Sequence, residues 1–226
     1  MSEEDEIVKN IFGWAGTLLS AYFFFAPIFP MIKIFRGKFD VKDAPYILLS
    51  VSLINCILWL VYGLLKNDVP IYLNNTIGGG LTLIWITICI ILFVKKKIVF
   101  VLVYIFILII IFVGLSVSFY FFVPVDITGI IVMVINVLVF AAPGEKIIKV
   151  IKTYNYQLIP IFSTLGGLFC SLCWVMYGIY QNDYKVYAPN LLGLGFAIIQ
   201  IIVYLIYYFR NKERMPIFGA VDDIVI

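Results

Sequence analysis

Two residue pairs in this 226-residue chain combine recognition chemistry with a repeated spacing: Trp59 and Trp174, and Asn75 and Asn190. A carboxamide both donates and accepts hydrogen bonds, which suits adjacent hydroxyl groups. An indole offers a flat apolar face and a single N–H donor. Neither group is charged, so together they suit a neutral, hydroxyl-rich ring compound and not an ion. Covalent chemistry has little to work with. The chain has no histidine, the commonest proton shuttle and metal ligand. No nucleophile–base set, acid pair or metal cluster stands out, so the expectation is no enzyme, no cofactor and no metal. Cys56, Cys89, Cys170 and Cys173 all lie in apolar runs. The C-x-x-C spacing of the last two reads as packing, not as redox or zinc chemistry.

The elements that must position these residues are membrane spans. The composition is 64% hydrophobic and 13% charged, with a mean hydropathy of +1.10. A soluble domain of this length cannot hide that much apolar surface. The apolar runs are each about 20 residues long, enough for a ~30 Å hydrocarbon core. They predict seven spans near 11–33, 45–65, 70–94, 98–120, 127–145, 160–181 and 186–209. The breaks carry turn and charge signals such as Arg36-Gly37-Lys38, Asn67-Asp68, Lys95-Lys96-Lys97 and Asn182-Asp183. The acidic start, Ser2-Glu3-Glu4-Asp5-Glu6, is unlike a signal peptide. Thirteen Lys and Arg fall on one side of this topology and three on the other. The positive-inside rule therefore puts the N-terminus outside or in a lumen and the C-terminus in the cytosol.

The chain also repeats itself. Residues 45–80 shifted by 115 align without a gap on 160–195, with eleven identical pairs, including Tyr62/Tyr177, Gly63/Gly178, Asn67/Asn182, Asp68/Asp183 and Asn75/Asn190. Only one of those pairs is aliphatic, so shared greasiness does not explain them. A one-residue gap extends the match upstream, from Ala26-Pro27 onto Ala142-Pro143. The fold class that follows is an all-α membrane protein of seven transmembrane helices, arranged as 3+1+3 parallel triple-helix repeats with a linker helix. Residues 1–97 form the first repeat, 98–123 the linker, 124–210 the second repeat and 211–226 a cytosolic tail. Parallel repeats are one known transporter architecture.

Polar groups inside spans are costly and need a reason. No Asp, Glu, Lys or Arg lies near a span centre, so a proton or sodium relay has nothing to run on. That points to uniport. A lone Asn is more often interhelical glue, and a lone Trp an interfacial anchor. For pairs duplicated across two copies the binding reading is favoured. Asn55 and Asn136 have no polar duplicate, being answered by Cys170 and Ala21, and read as glue. Pro27, Pro45, Pro143 and Pro160 gather toward one side, either as a hinge ring or, for Pro45 and Pro160, as helix starts. Tyr62, Tyr177, Asp68 and Asp183 lie outward of the tryptophans, where they either close a mouth or form a belt and turns. Asp126 stands where an N-cap is needed. Asn74-Asn75-Thr76 matches a glycosylation sequon but lies too close to the membrane to serve.

At these residues the chain resembles the SWEET family of sugar transporters. The first copy carries "NCILWLVYGL" and "NNTIG"; the second carries "APGEKIIKVIKT", "LIPIF", "WVMYGIYQND" and "APNLLG". The resemblance spans Phe12 to Tyr208. It implies passive, bidirectional, energy-independent sugar movement by alternating access. It implies substrate contacts at Asn75, Asn190 and Trp174, proline-assisted hinges at or near Pro27, Pro45, Pro143 and Pro160, and an outer gate at Tyr62, Tyr177 and Asp183. Trp59 stands where plant members often have a small residue, so two indoles flank the cavity and a hexose is expected. The expected partners are a small uncharged sugar and the lipid bilayer, with no nucleic acid; homo-oligomerisation stays open. The plasma membrane is expected over an endomembrane. The competing readings are a PQ-loop-like transporter of another solute and a cargo-sorting receptor on the same fold. The Pro-Gln pair of that group is missing, because Ile28 follows Pro27 and Gly144 follows Pro143.

Overall fold

The computed structural model describes residues 2–38, 46–93, 98–139 and 141–214, and every described regular element is helical. The helices are α1 (Glu3–Phe25), α2 (Ile28–Phe35), α3 (Tyr46–Leu65), α4 (Val69–Phe93), α5 (Ile98–Phe122), α6 (Val125–Val139), α7 (Ala141–Thr153), α8 (Ile161–Tyr180) and α9 (Tyr184–Arg214). The stretches Val69–Leu92, Ile105–Phe122, Ile161–Tyr180 and Tyr184–Asn211 are long and apolar enough to cross a membrane; Leu49–Leu65 and Val125–Val137 are shorter apolar helices. Large apolar side chains are exposed along nearly every helix, which water does not tolerate and lipid does. The chain is an all-helical, multi-pass membrane protein.

Several boundaries depart from the hydropathy pattern for local reasons. The first helix starts at Glu3, not near residue 11, because Ser2 and Asp5 form a capping box: Asp5 N–H donates to Ser2 Oγ at 3.1 Å and Ser2 N–H to Asp5 Oδ2 at 3.0 Å. Four acidic residues in its first turn then meet the positive end of the helix dipole. The first predicted span is broken into α1 and α2 at Ala26-Pro27. Proline has no N–H to give the Phe23 carbonyl, which accepts from Ala26 N–H at 3.0 Å instead, and beside the break the Phe24 carbonyl accepts from Trp85 Nε1 at 2.8 Å. The fifth predicted span is divided between α6 and α7, the latter ending at Thr153, and the last span extends to Arg214.

Packing closes the helices into a ring around one cavity. α1 packs on α4, α4 on α3, α3 on α6, α6 on α9, α9 on α8, and α8 back on α1. α5 lies outside this ring against α3 and α4, and its stretch Ile105–Phe122 buries no residue. One core cluster (Met31, Leu53, Ile57, Trp85, Cys89) belongs to the first copy alone. A second, built on Trp59, Tyr62, Val132, Trp174, Tyr177 and Val186, joins the two copies.

Candidate functional site

The turns between α3 and α4 and between α8 and α9 set the geometry. In the first, Asp68 N–H donates to Gly63 O at 2.8 Å and Asn67 N–H to Leu64 O at 3.1 Å. This is a Schellman motif, with Asn67 at φ 52° in the left-handed region that Asn tolerates. The second copy reproduces it: Asp183 donates to Gly178 O at 2.8 Å, Asn182 to Ile179 O at 3.0 Å, and Asn182 has φ 56°. Gly63 and Gly178 are required because the returning helix passes so close. A Cβ there would lie 2.7 Å from Tyr72 N and 2.8 Å from Tyr187 N respectively. Each Asp then accepts from the first turn of the next helix, Asp68 from Ile71 N–H and Asp183 from Lys185 N–H, both at 3.1 Å.

Both carboxylates also face the other copy. Tyr62 Oη donates to Asp183 Oδ2 at 2.5 Å, and Tyr177 Oη donates to Asp68 Oδ1 at 2.6 Å. One helical turn on, Lys66 pairs with Asp183 Oδ2 at 3.6 Å and Gln181 Nε2 donates to Asp68 Oδ2 at 3.0 Å. Lys66 and Gln181 occupy equivalent positions of the duplication, so each copy offers Tyr and a donor four residues later to the other copy's Asp. Burial pushes the Asp68 carboxyl above its ordinary range, against the pull of its bonds from Tyr177 and Ile71. Both tyrosines are fully buried and fit because of two further glycines. A Cβ on Gly13 would sit 2.7 Å from the Tyr177 ring, and one on Gly129 would sit 2.7 Å from the Tyr62 ring. Asp126 is in the first turn of α6, not at its N-cap as the sequence suggested; it binds Lys185 Nζ at 2.8 Å instead.

Below this locked layer each tryptophan meets its own copy's tyrosine edge to face. Trp59 and Tyr62 lie 5.6 Å apart at 85°, and Trp174 and Tyr177 lie 5.6 Å apart at 87°. Trp59, Trp174, Asn75 and Asn190 then line one cavity of about 580 Å³, counting its open mouth. The Asn75 amide nitrogen donates to Ile71 O at 2.8 Å, and that of Asn190 to Val186 O at 2.7 Å. A backbone carbonyl only accepts, so each amide oxygen is turned away from its own helix. The Trp174 N–H, expected to serve a ligand, is committed to Ser20 Oγ at 3.1 Å. What Trp174 offers is therefore its ring.

Other expectations meet the structure unevenly. Asn55 and Asn136, set aside as glue, line the same cavity, as do Ser20 and Asn74. The register that matches Ala26 to Ala142 pairs Asn136 with Ser20, not Ala21, and Gly13 with Gly129. Applying it throughout would have exposed both relations. Asn74 is buried in α4, which closes the sequon to a glycosyltransferase. Pro27 stands at the α1–α2 break and Pro160 is the N-cap of α8. Pro143 lies in the first turn of α7, and Pro45 lies outside the described residues.

Comparisons with known proteins point to one family. The model of the family described as "Sugar efflux transporter for intercellular exchange" matches twice, at residues 10–97 and 126–212, one match per copy. The chain is similar to the bidirectional sugar transporter SWEET5 of Arabidopsis thaliana, 32% identical over 210 residues that cover 88% of this chain and 86% of the relative. It is also similar to the bidirectional sugar transporter SWEET7b of Oryza sativa subsp. japonica, 26% identical over 214 residues that cover 90% of this chain and 79% of the relative. Its fold resembles a eukaryotic SWEET transporter solved at 3.7 Å resolution, with a TM-score of 0.77 and 25% identity, covering 91% of this chain and 99% of the other.

Proposed function

The chain belongs to the SWEET family of sugar transporters, and from that premise we propose that it carries a hexose down its gradient in either direction by alternating access. It is a membrane transporter of sugars and not an enzyme. The observation that carries the finer reading is the cavity lining. Five asparagines and two tryptophans line it, and no charged side chain does so among the described residues. Amides match hydroxyls, indole faces match the C–H faces of a pyranose, and an uncharged wall gives no partner to a driving ion.

In this reading α1 with α2, α3 and α4 are the three spans of the first repeat. α5 is the linker span, and α6 with α7, α8 and α9 form the second repeat. The Tyr–Asp layer is the outer gate, shut in this state, and substrate exchanges at the opposite, cytosolic end. Opening requires both cross-copy bonds to break while the halves rock about the Pro27 break and its second-copy counterpart near Pro143. Trp59 and Trp174 touch both the cavity and the gate tyrosines, so a sugar stacked on an indole is felt by the gate. The N-terminus lies outside or in a lumen, the C-terminus in the cytosol, and the plasma membrane is the proposed site. The test is uptake of labelled glucose, fructose and sucrose by liposomes holding the pure protein. Uptake of a hexose, equilibrating and not accumulating, supports the reading; no uptake of any of the three overturns it.

A further inference from the structure

We propose that Asn74 is an additional sugar-contacting residue, an acceptor that only the first copy supplies and that fixes which way round the sugar sits. The inference rests on the sugar reading above. Asn74 lines the cavity, is only 9% exposed, and its Oδ1 is screened from solvent with no hydrogen-bond partner. Asn55, also in the lining, has an unpartnered Oδ1 as well. Buried polar atoms in folded proteins are almost always paired, because an unpaired one costs about 1–3 kcal/mol. An unpaired acceptor on a residue that lines a cavity suited to a polyol is satisfied when a hydroxyl arrives and the amide turns to meet it.

The asymmetry gives the inference its content. The duplication answers Asn74 with Pro189 and Asn55 with Cys170. Proline has neither a side-chain acceptor nor a backbone N–H, and a thiol is a weak partner. Both unpartnered acceptors therefore stand on α3 and α4 of the first copy. The second-copy wall offers the amides of Asn136 and Asn190, neither with an unpartnered buried oxygen, and the Trp174 face, with its N–H held by Ser20. In the proposed pose a ring stacked on that face gives one of its hydroxyls to Asn74, which lines the same cavity. Asn75 and Asn190 alone, being equivalent, could not choose between the two orientations.

The test uses whole protein in liposomes. Wild type, Asn74→Leu (similar in shape, unable to accept) and Asn74→Ala take up whichever of glucose, galactose and fructose the wild type carries, in competition with each monodeoxy analogue of that sugar. In wild type one analogue should compete roughly 5- to 150-fold more weakly than its parent because of Asn74. In both variants that analogue and its parent should compete equally, the signature of a lost pairwise term. The empty Asn74→Leu protein should melt no lower than wild type, since an unpaired acceptor has been removed. If the parent-to-analogue ratios are the same in wild type and both variants, or if the empty Leu variant melts several degrees lower, Asn74 is not a substrate acceptor. If wild type carries none of the three sugars, it is the sugar reading that fails.

Discussion

Tyr62 of one copy donates its hydroxyl to Asp183 of the other, although Asp68 lies only six residues further along its own chain. Tyr177 does the same in reverse with Asp68. The two bonds are related by the duplication and cross between its halves, so neither half can move away from the other at this end without breaking both.

The first prediction follows from that crossing. A hydrogen bond to a charged group is worth about 1.5–3 kcal/mol. Tyr62→Phe should therefore raise the open population at the Asp68–Asp183 end by roughly 10- to 150-fold. Cys170 lines the cavity beneath this layer. In a Cys173→Ser background, its labelling by an impermeant thiol reagent added on the Asp68–Asp183 side should speed up accordingly. Labelling at the wild-type rate would mean the bond does not hold the gate.

A second prediction concerns the notch that admits the tyrosine. Gly13→Ala places a methyl 2.7 Å from the Tyr177 ring and 3.1 Å from Pro70. The ring is fully buried and cannot swing aside freely. This variant should also speed Cys170 labelling while leaving the Tyr62–Asp183 bond in place, and adding Tyr62→Phe should increase the rate further. An unaltered rate in Gly13→Ala would show that the closed layer has slack.

Energy coupling can be tested directly. With no carboxylate, lysine, arginine or histidine in the described lining, a proton or sodium gradient across proteoliposomes should not drive net sugar accumulation. Accumulation above the equilibrium level would reveal a coupling site.

Asn75→Ala and Asn190→Ala should each abolish most transport while surface expression survives. A uniporter must release its cargo, so its total binding free energy is small, about −4 kcal/mol for millimolar affinity. Losing one amide at about 1–3 kcal/mol is then a large fraction. Normal uptake in either variant would return that residue to the role of glue.

Substrate size depends on the two indoles. Excess sucrose should not block hexose uptake in wild type, whereas Trp59→Ser should admit larger sugars at some loss of hexose transport. Replacing Trp174 should damage hexose uptake more. Sucrose that already competes with and is carried by the wild type would show that Trp59 and Trp174 leave room for a second ring.

The sequence alone determined the membrane class, the all-helical fold, the duplication, and the pairing of Trp59 with Trp174 and of Asn75 with Asn190. All of these depend on local hydropathy or on residue identity repeated at a fixed interval. The facing of each helix was not legible. In water an apolar stripe marks the buried side of a helix, but in lipid both sides are apolar and the stripe disappears. Tertiary structure therefore decided that Asn55, Asn74 and Asn136 turn into the cavity, that Trp174 spends its N–H on Ser20, and that Trp85 satisfies the Phe24 carbonyl beside the α1–α2 break. It also decided that each tyrosine reaches the aspartate of the opposite copy, because only the closed ring of helices brings α3 against α6 and α8 against α1.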